Sequence, residues 1–345
     1  MAYTMISRYD VREEKTMQEK TLLIGTYTTH TDSRGVYRLR IREGVALAPE
    51  LVLEARDPSY LLRAQDALYW VDEALDEGEG RIGCAVRTGD TYAVRMRTGT
   101  HGVNPCHLAR SPQGTWLAAA NYTSGEIALL RKDTDGAWQE AGVFPGRWSG
   151  LNPQRQEGPH AHFVTFCGED TLLACDLGGD CLRRLTCRDG RWHEEAPALF
   201  FPAGSGPRHM VLRGELAYVL CELSCELITI NYARGEVLSR VPMLFEPAAG
   251  TAAALRMSPS GELLASHRGA DTISVFSLKN PASPALRAVI PCGGKGPRDF
   301  WPLADGSIVC ACQESGDVTL VKPTPEGYRA VQRIALPAPV CVIEE

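Results

Sequence analysis

The sequence predicts an all-β fold, a seven-bladed β-propeller built from four-stranded antiparallel blades. Three observations predict it. One sequence unit recurs seven times along the 345 residues. The polar residues ending the second strand of successive units (Asp72, Asn121, Asp176, Glu222, His267 and Gln313) are spaced by 49, 55, 46, 45 and 46 residues. No segment sustains a helical period. A repeat of roughly 40–50 residues made of short strands and turns corresponds to one propeller blade, and the missing 3.6-residue period removes α/β alternatives.

Each unit reads as a Gly/Asn-Pro start, a short strand, a turn, an apolar run closed by a polar residue, and another strand. The clearest copies are NPCHLARSPQGTWLAAANYTSGEIALL from Asn104, GPHAHFVTFCGEDTLLACDLGGDCLRRL from Gly158, GPRHMVLRGELAYVLCELSCELITI from Gly206, AALRMSPSGELLASHRGADTISVF from Ala253 and GPRDFWPLADGSIVCACQESGDVTLV from Gly296. Weaker copies start at Leu22 and Asp57. The first copy, TLLIGTYT, matches a second strand, so it lacks an innermost one. The C-terminal PAPVCVIEE has the form of that missing strand. Pro339 to Glu344 is therefore expected to complete the blade begun by Thr21 to Ala55, closing the ring and removing exposed strand edges. Residues 20–345 read as a single propeller domain. Residues 1–19 read as a disordered extension, or as chain upstream of a start at Met17.

Composition narrows the function. With 36 Lys+Arg against 42 Asp+Glu the net charge is −6, which argues against nucleic-acid or anionic-membrane partners, since these need a basic footprint. No stretch has the ~20 apolar residues of a membrane span, and Met1–Lys20 lacks the apolar core of a secretion signal. A cytoplasmic protein is expected, as a monomer because ring closure leaves no edge to pair. The twelve cysteines lie in apolar runs without paired C-x2-C spacing, as buried thiols do.

In a meandering blade the start of the first strand and the end of the second emerge on one face. His107, His160, His162, Arg208, His209 and Arg298 follow the Pro-containing starts; Asn121, Tyr122, Asp176, Glu222, His267, Arg268 and Gln313 end second strands. All are expected around one mouth of the central channel, where a propeller offers a pocket. Arg208, Arg268 and Arg298, from three consecutive blades, suit an anionic small molecule, because guanidinium binds phosphate or carboxylate in a bidentate way. Pairing with Glu222, Asp271 or Asp299 is the competing explanation.

His160 and His162 invite a metal reading, yet nearby arginines would repel a cation and a third ligand would have to come from another blade. General acid/base work suits His160 better, whereas His162 reads as a satisfied strand-end residue. Burial would raise the pKa of Glu222 and an adjacent arginine would lower it. GSGPR and GGKGPR lack the order of a phosphate loop, and Ser124 and Ser224 lack a nucleophile-elbow context.

The strings IGTYT, NYTSG, NPQRQEGPHAH, DLGGD, GPRH, ELS, SHRGADTISVF, GPRDF and CQESGDV, spread over residues 21 to 345, resemble the seven-bladed propeller lactonase family. That family includes bacterial 6-phosphogluconolactonases and, in a sister branch, fungal enzymes that interconvert 3-carboxy-cis,cis-muconate and its lactone. The resemblance implies hydrolysis of 6-phospho-D-glucono-1,5-lactone, a phosphorylated sugar lactone, in the pentose phosphate pathway, with no metal or organic cofactor. It also implies a catalytic set of His160, Arg208, Glu222 and Arg268, to which the shared face adds His162, His209, His267, Arg298 and Gln313 as expected substrate contacts. In that reading His160 or Glu222 moves the proton, Arg208 meets the oxyanion, and Arg268 with Arg298 holds the phosphate. This chain departs from the family in having His267-Arg268-Gly269 where Asn-Arg-Gly is usual. A muconate-type cycloisomerase and a non-catalytic sugar- or protein-binding propeller are the alternatives.

Overall fold

In the computed structural model, which describes residues 19–65, 67–73 and 78–345, seven antiparallel sheets follow one another along the chain. The expected extension over 1–19 lies, apart from Glu19, outside the described residues. Blade 1 combines Lys20–Thr26 and Gly35–Arg42 with the C-terminal strand Pro339–Glu344. Blades 2 to 7 have innermost strands Leu61–Ala64, Pro105–Arg110, Ala161–Phe166, Pro207–Arg213, Thr251–Met257 and Pro297–Pro302. Each of these meanders outward through three further strands. In blades 1 and 4 the outer edge is divided between two short strands.

The second strands are apolar runs rather than alternating ones because they are covered on both faces. Trp116–Asn121, for example, is buried at every position. Each face packs on the neighbouring blade, and seven hydrophobic clusters result, one per interface between blades. The outer strands alternate, as in Gly327–Ala335, with one face on the sheet and one in water. All twelve cysteines are free thiols, nine of them buried and Cys167, Cys187 and Cys225 partly so.

Ring closure has the expected form. Leu22, Leu23, Ile24 and Gly25 pair with Glu344, Ile343, Val342 and Cys341. Below that ladder the terminal Glu345 accepts from Arg38 Nε at 2.6 Å, with both side chains almost fully buried. Tyr92 Oη, from blade 2, donates to Glu345 at 2.9 Å. The last residue is thus pinned by two blades.

Two tests follow from this closure. Arg38→Met leaves Glu345 buried with only Tyr92 and the more distant Arg87, and should cost roughly 3 kcal/mol, the low end for breaking a buried pair, in urea unfolding. Deleting residues 339–345 strips blade 1 of its inner strand; it should lower the thermal midpoint and promote association through the opened edge, read by scanning fluorimetry and size exclusion.

Candidate functional site

The innermost strands share one irregularity. At the mouth of the channel each of five has a register shift that leaves one residue unpaired against the second strand: Cys106, His162, Arg208, Arg298 and Val340. A bulge of this kind re-aims a side chain, and here it turns Cys106, His162, Arg208 and Arg298 off their blades into one cavity. Gly206 and Gly296, both at φ 63°, precede two of these strands. They occupy the left-handed region that glycine enters without steric cost, which explains the Gly-Pro starts.

A second ring of positions lies just past the second strands. The backbone N–H groups of Tyr27, Glu73, Tyr122, Leu177, Glu222 and Gln313 donate to Ala338, Asp57, Asn104, His160, Gly206 and Gly296, so these six residues are structurally equivalent. The two rings enclose a cavity of about 450 Å³. Tyr27, Glu73, Cys106, Tyr122, Arg155, His162, Arg208, Glu222, Arg268 and Arg298 all line it.

Glu222, only 1% exposed, is the charge centre of one wall. Arg155 Nη2 donates to its Oε1 at 2.6 Å, Arg268 Nη2 lies 3.0 Å from the same oxygen, and Arg208 Nη1 donates to Oε2. Burial by itself would raise this carboxyl, but Arg208, Arg268 and Arg155 outweigh it and hold Glu222 well below the usual carboxylate range. Arg208 is fixed further by Nε donation to Ala253 O at 2.9 Å and by His162 Nε2, which accepts from Nη1. Among the described residues its Nη2 has no protein partner. Arg268 is lowered to about 10 by burial and the nearby Arg208, and stays cationic at neutral pH.

The opposite wall is built differently. Tyr27 Oη donates to Glu73 Oε2 at 2.9 Å, and the Arg298 guanidinium stands 5.1 Å from the centre of the Tyr27 ring. Among the described residues Arg298 has no ion pair within 4.0 Å, and its one hydrogen bond there reaches Gln313 Oε1 at a long 3.5 Å. Burial raises Glu73, with Arg298 opposing. Among the described residues no group of three or more His, Cys, Asp or Glu side chains could hold a metal ion.

The expected single mouth is thus sorted into several places. Arg208, Glu222, Arg268, Arg298 and His162 line the cavity, and Gln313 touches Arg298. His160 does not line it. Its ring stacks on the far side of Tyr122, centroids 4.6 Å apart, with Nδ1 2.8 Å from Tyr122 O and Nε2 3.2 Å from Glu157 Oε1. The reason is register: in this blade proline stands two residues before the innermost strand, so His160 takes the place of Gly206, and His162 that of Arg208. His107 and His209 belong to the next layer down, where they contact each other and Phe163 at 5.8, 4.0 and 5.5 Å. His267, with Asn121 and Asp176, sits one residue earlier than Glu222 in register and points into its blade. His267 instead lines a separate 340 Å³ cavity with Cys225. Sequence reasoning missed Tyr27, Glu73 and Arg155. Arg155 lay within the quoted NPQRQEGPHAH string, and Glu73 stands one residue beyond the anchor Asp72.

The family described as Lactonase, 7-bladed beta-propeller, matches residues 21–344. The chain belongs to this lactonase family. A 6-phosphogluconolactonase of Formosa agariphila is 27% identical over 325 residues, covering 87% of this chain and 92% of that protein. The solved structure of a protein from Lactobacillus plantarum is 27% identical with a TM-score of 0.85, covering 95% of this chain and 100% of that one. A periplasmic gluconolactonase of Pseudomonas aeruginosa, 23% identical with a TM-score of 0.84 over 95% of this chain and 99% of its own, shares the fold.

The buried histidines make a pH prediction. Burial, reinforced by Arg256 and Arg208, drives His107 well below its ordinary value, so it is neutral in the fold and protonates more readily when unfolded. Its stabilising effect is complete above the unfolded pKa of ~6.5 and falls below it by about 1.4 kcal/mol per pH unit. His107→Phe, packed between Tyr60 and Phe163, should flatten the decline in unfolding free energy between pH 6.5 and 5 by that amount.

Proposed function

We propose that this lactonase-family protein hydrolyses 6-phospho-D-glucono-1,5-lactone to 6-phosphogluconate. The observation that carries the reading is the cavity charge: four guanidiniums around one space, of which Arg298 lacks an ion pair among the described residues. Such a site in a chain of net charge −6 suits an anionic small molecule. Family membership and the name of the Formosa agariphila relative support a lactone as that molecule.

Lactone opening needs a donor set for the tetrahedral oxyanion, a base for the attacking water, and a proton for the leaving ring oxygen. Arg298 and the free Nη2 of Arg208 are assigned to the oxyanion. Guanidinium does not deprotonate at working pH, so these donors stabilise charge without joining the proton transfer. Arg155 and Arg268, at the more open side of the cavity with side chains 36% and 18% exposed, are assigned to the phosphate. Glu222 keeps both oriented. Its depressed pKa makes it a weak base, so its part is to hold the arginines.

Stopped-flow hydrolysis of freshly generated lactone, with the spontaneous rate subtracted, tests the reading. The wild type should accelerate opening. Arg155→Met should raise KM for the phosphorylated lactone roughly 10–100-fold, the worth of a charged hydrogen bond, and leave unphosphorylated glucono-1,5-lactone nearly unaffected. No acceleration with either lactone would reject hydrolysis; interconversion of a carboxymuconate with its lactone under the same assay would favour the sister chemistry.

A further inference from the structure

Two carboxylates share the cavity, and their surroundings differ sharply. Glu222 contacts three arginines, whereas Glu73, only 6% exposed, is met by hydroxyls alone, Tyr27 Oη donating to Oε2 at 2.9 Å and Ser59 beside it. No cation lies within 4.0 Å of either Glu73 oxygen among those residues, and Oε1 has no protein partner there. Glu73 nevertheless lines the same cavity as Arg208 and Arg298. When neighbouring carboxyl groups are held in contrasting environments, the charge-locked one serves electrostatics and the other is free to exchange protons.

We propose that Glu73 is the catalytic base and acid of the lactonase reaction, held by Tyr27 and turned with its free oxygen toward a water on the lactone carbonyl. This rests on the lactone-hydrolase reading. Glu73 takes one proton from water as the water oxygen bonds to the carbonyl carbon and the carbonyl electron pair moves onto oxygen. On collapse the ring C–O bond breaks, its electrons remain on the ring oxygen, and Glu73 returns the proton to that oxygen. Glu73 ends as the carboxylate it began as, and the new carboxylic acid loses its proton to solvent.

The groups facing Glu73 come from several blades: Tyr27 from blade 1, Arg298 from blade 7, Cys106 from blade 3, and Asp57 from its own. Burial raises the carboxyl; Arg298 and the Ser59 and Tyr27 hydrogen bonds oppose, and Asp57 adds to the rise. The net direction is upward, toward the range in which a carboxylate is an effective base near neutral pH. His160 lies behind Tyr122, outside the cavity, and Glu222, although it lines the cavity, has both oxygens held by arginines.

The test compares wild type, Glu73→Gln, Glu73→Asp and Tyr27→Phe in the stopped-flow assay across pH. Glu73→Gln should lower kcat about 10²–10⁴-fold with KM little changed. It should also abolish the acid limb of kcat/KM, which in the wild type should fall above the ordinary carboxylate range. Glu73→Asp should restore part of kcat together with an acid limb. Tyr27→Phe removes a hydrogen bond that favours the anion, so its acid limb should move to higher pH, a shift that a merely structural role would not produce. If Glu73→Gln does not fold, the acid-limb readings of the other two variants decide. An active wild type with kcat retained in Glu73→Gln, or with an unshifted limb in Tyr27→Phe, overturns the assignment of Glu73 alone. A wild type that opens no lactone overturns the hydrolase reading and this one with it, and the wild-type trace by itself tells the two failures apart.

Discussion

The constraint on which the site depends is the convergence of innermost strands on one axis. A regular strand pairs every residue and alternates its side chains between the two neighbouring blades, leaving nothing aimed along the channel. The repeated bulge breaks that alternation at one position per strand. The residue there is freed from the ladder and faces its counterparts across the axis. His162, Arg208 and Arg298, distant in sequence, meet in one cavity for this reason. The left-handed residue before the strand supplies the reversal, and glycine or asparagine is suited to it: Asn104, Gly206 and Gly296 all have positive φ.

Beneath that mouth the channel is filled rather than open. Tyr60, His107, Phe163 and His209 stack in the next layer, and the Asp299 carboxylate accepts from Arg256 Nε at 2.9 Å. This layer gives the cavity a floor and lowers the local dielectric, strengthening every charge interaction above it. The histidines there are neutral because burial beside Arg208 and Arg256 disfavours imidazolium. They support the site without titrating in it.

The fold was legible because its signals are collective. Seven copies of one unit average out local irregularity, and ring closure could be read from a first strand missing at one end and present at the other. Site positions were harder, because they turn on single-residue register. Asp176, His267 and Glu222 look alike as polar residues closing apolar runs. Hydrogen bonding nevertheless aligns Cys221, not Glu222, with Asp176, since Cys221 pairs with Glu226 as Asp176 pairs with Cys181. A shift of one residue sends a side chain to the other face of a strand, so His267 enters its blade while Arg268 reaches the cavity. His160 was displaced in the same way by the extra residue after Pro159. Arg208, Arg268 and Arg298 were legible because a Gly-Pro pair precedes Arg208 and Arg298 and a glycine follows Arg268, marking the turns. Glu73 was not, since the blade around it is the weakest copy of the repeat.

Charge accounting within the cavity links these pieces to turnover. Four arginines face two carboxylates, which leaves an excess of two positive charges when both acids are ionised. A phosphate dianion matches that excess, so the proposed substrate fills the site to near neutrality and desolvates its arginines against an opposite charge rather than against each other. Opening the lactone adds one negative charge as a carboxylate, formed beside Glu73 in the proposed reaction. Glu73 has by then returned its proton and is anionic again. The product therefore sits in a cavity that is one charge over-neutralised, with like charges adjacent in a buried, low-dielectric space. Repulsion there weakens product relative to substrate, and it is least offset at Glu73, which, unlike Glu222, has no arginine in contact among the described residues. The same lack of a paired cation that fits Glu73 for proton transfer also favours release.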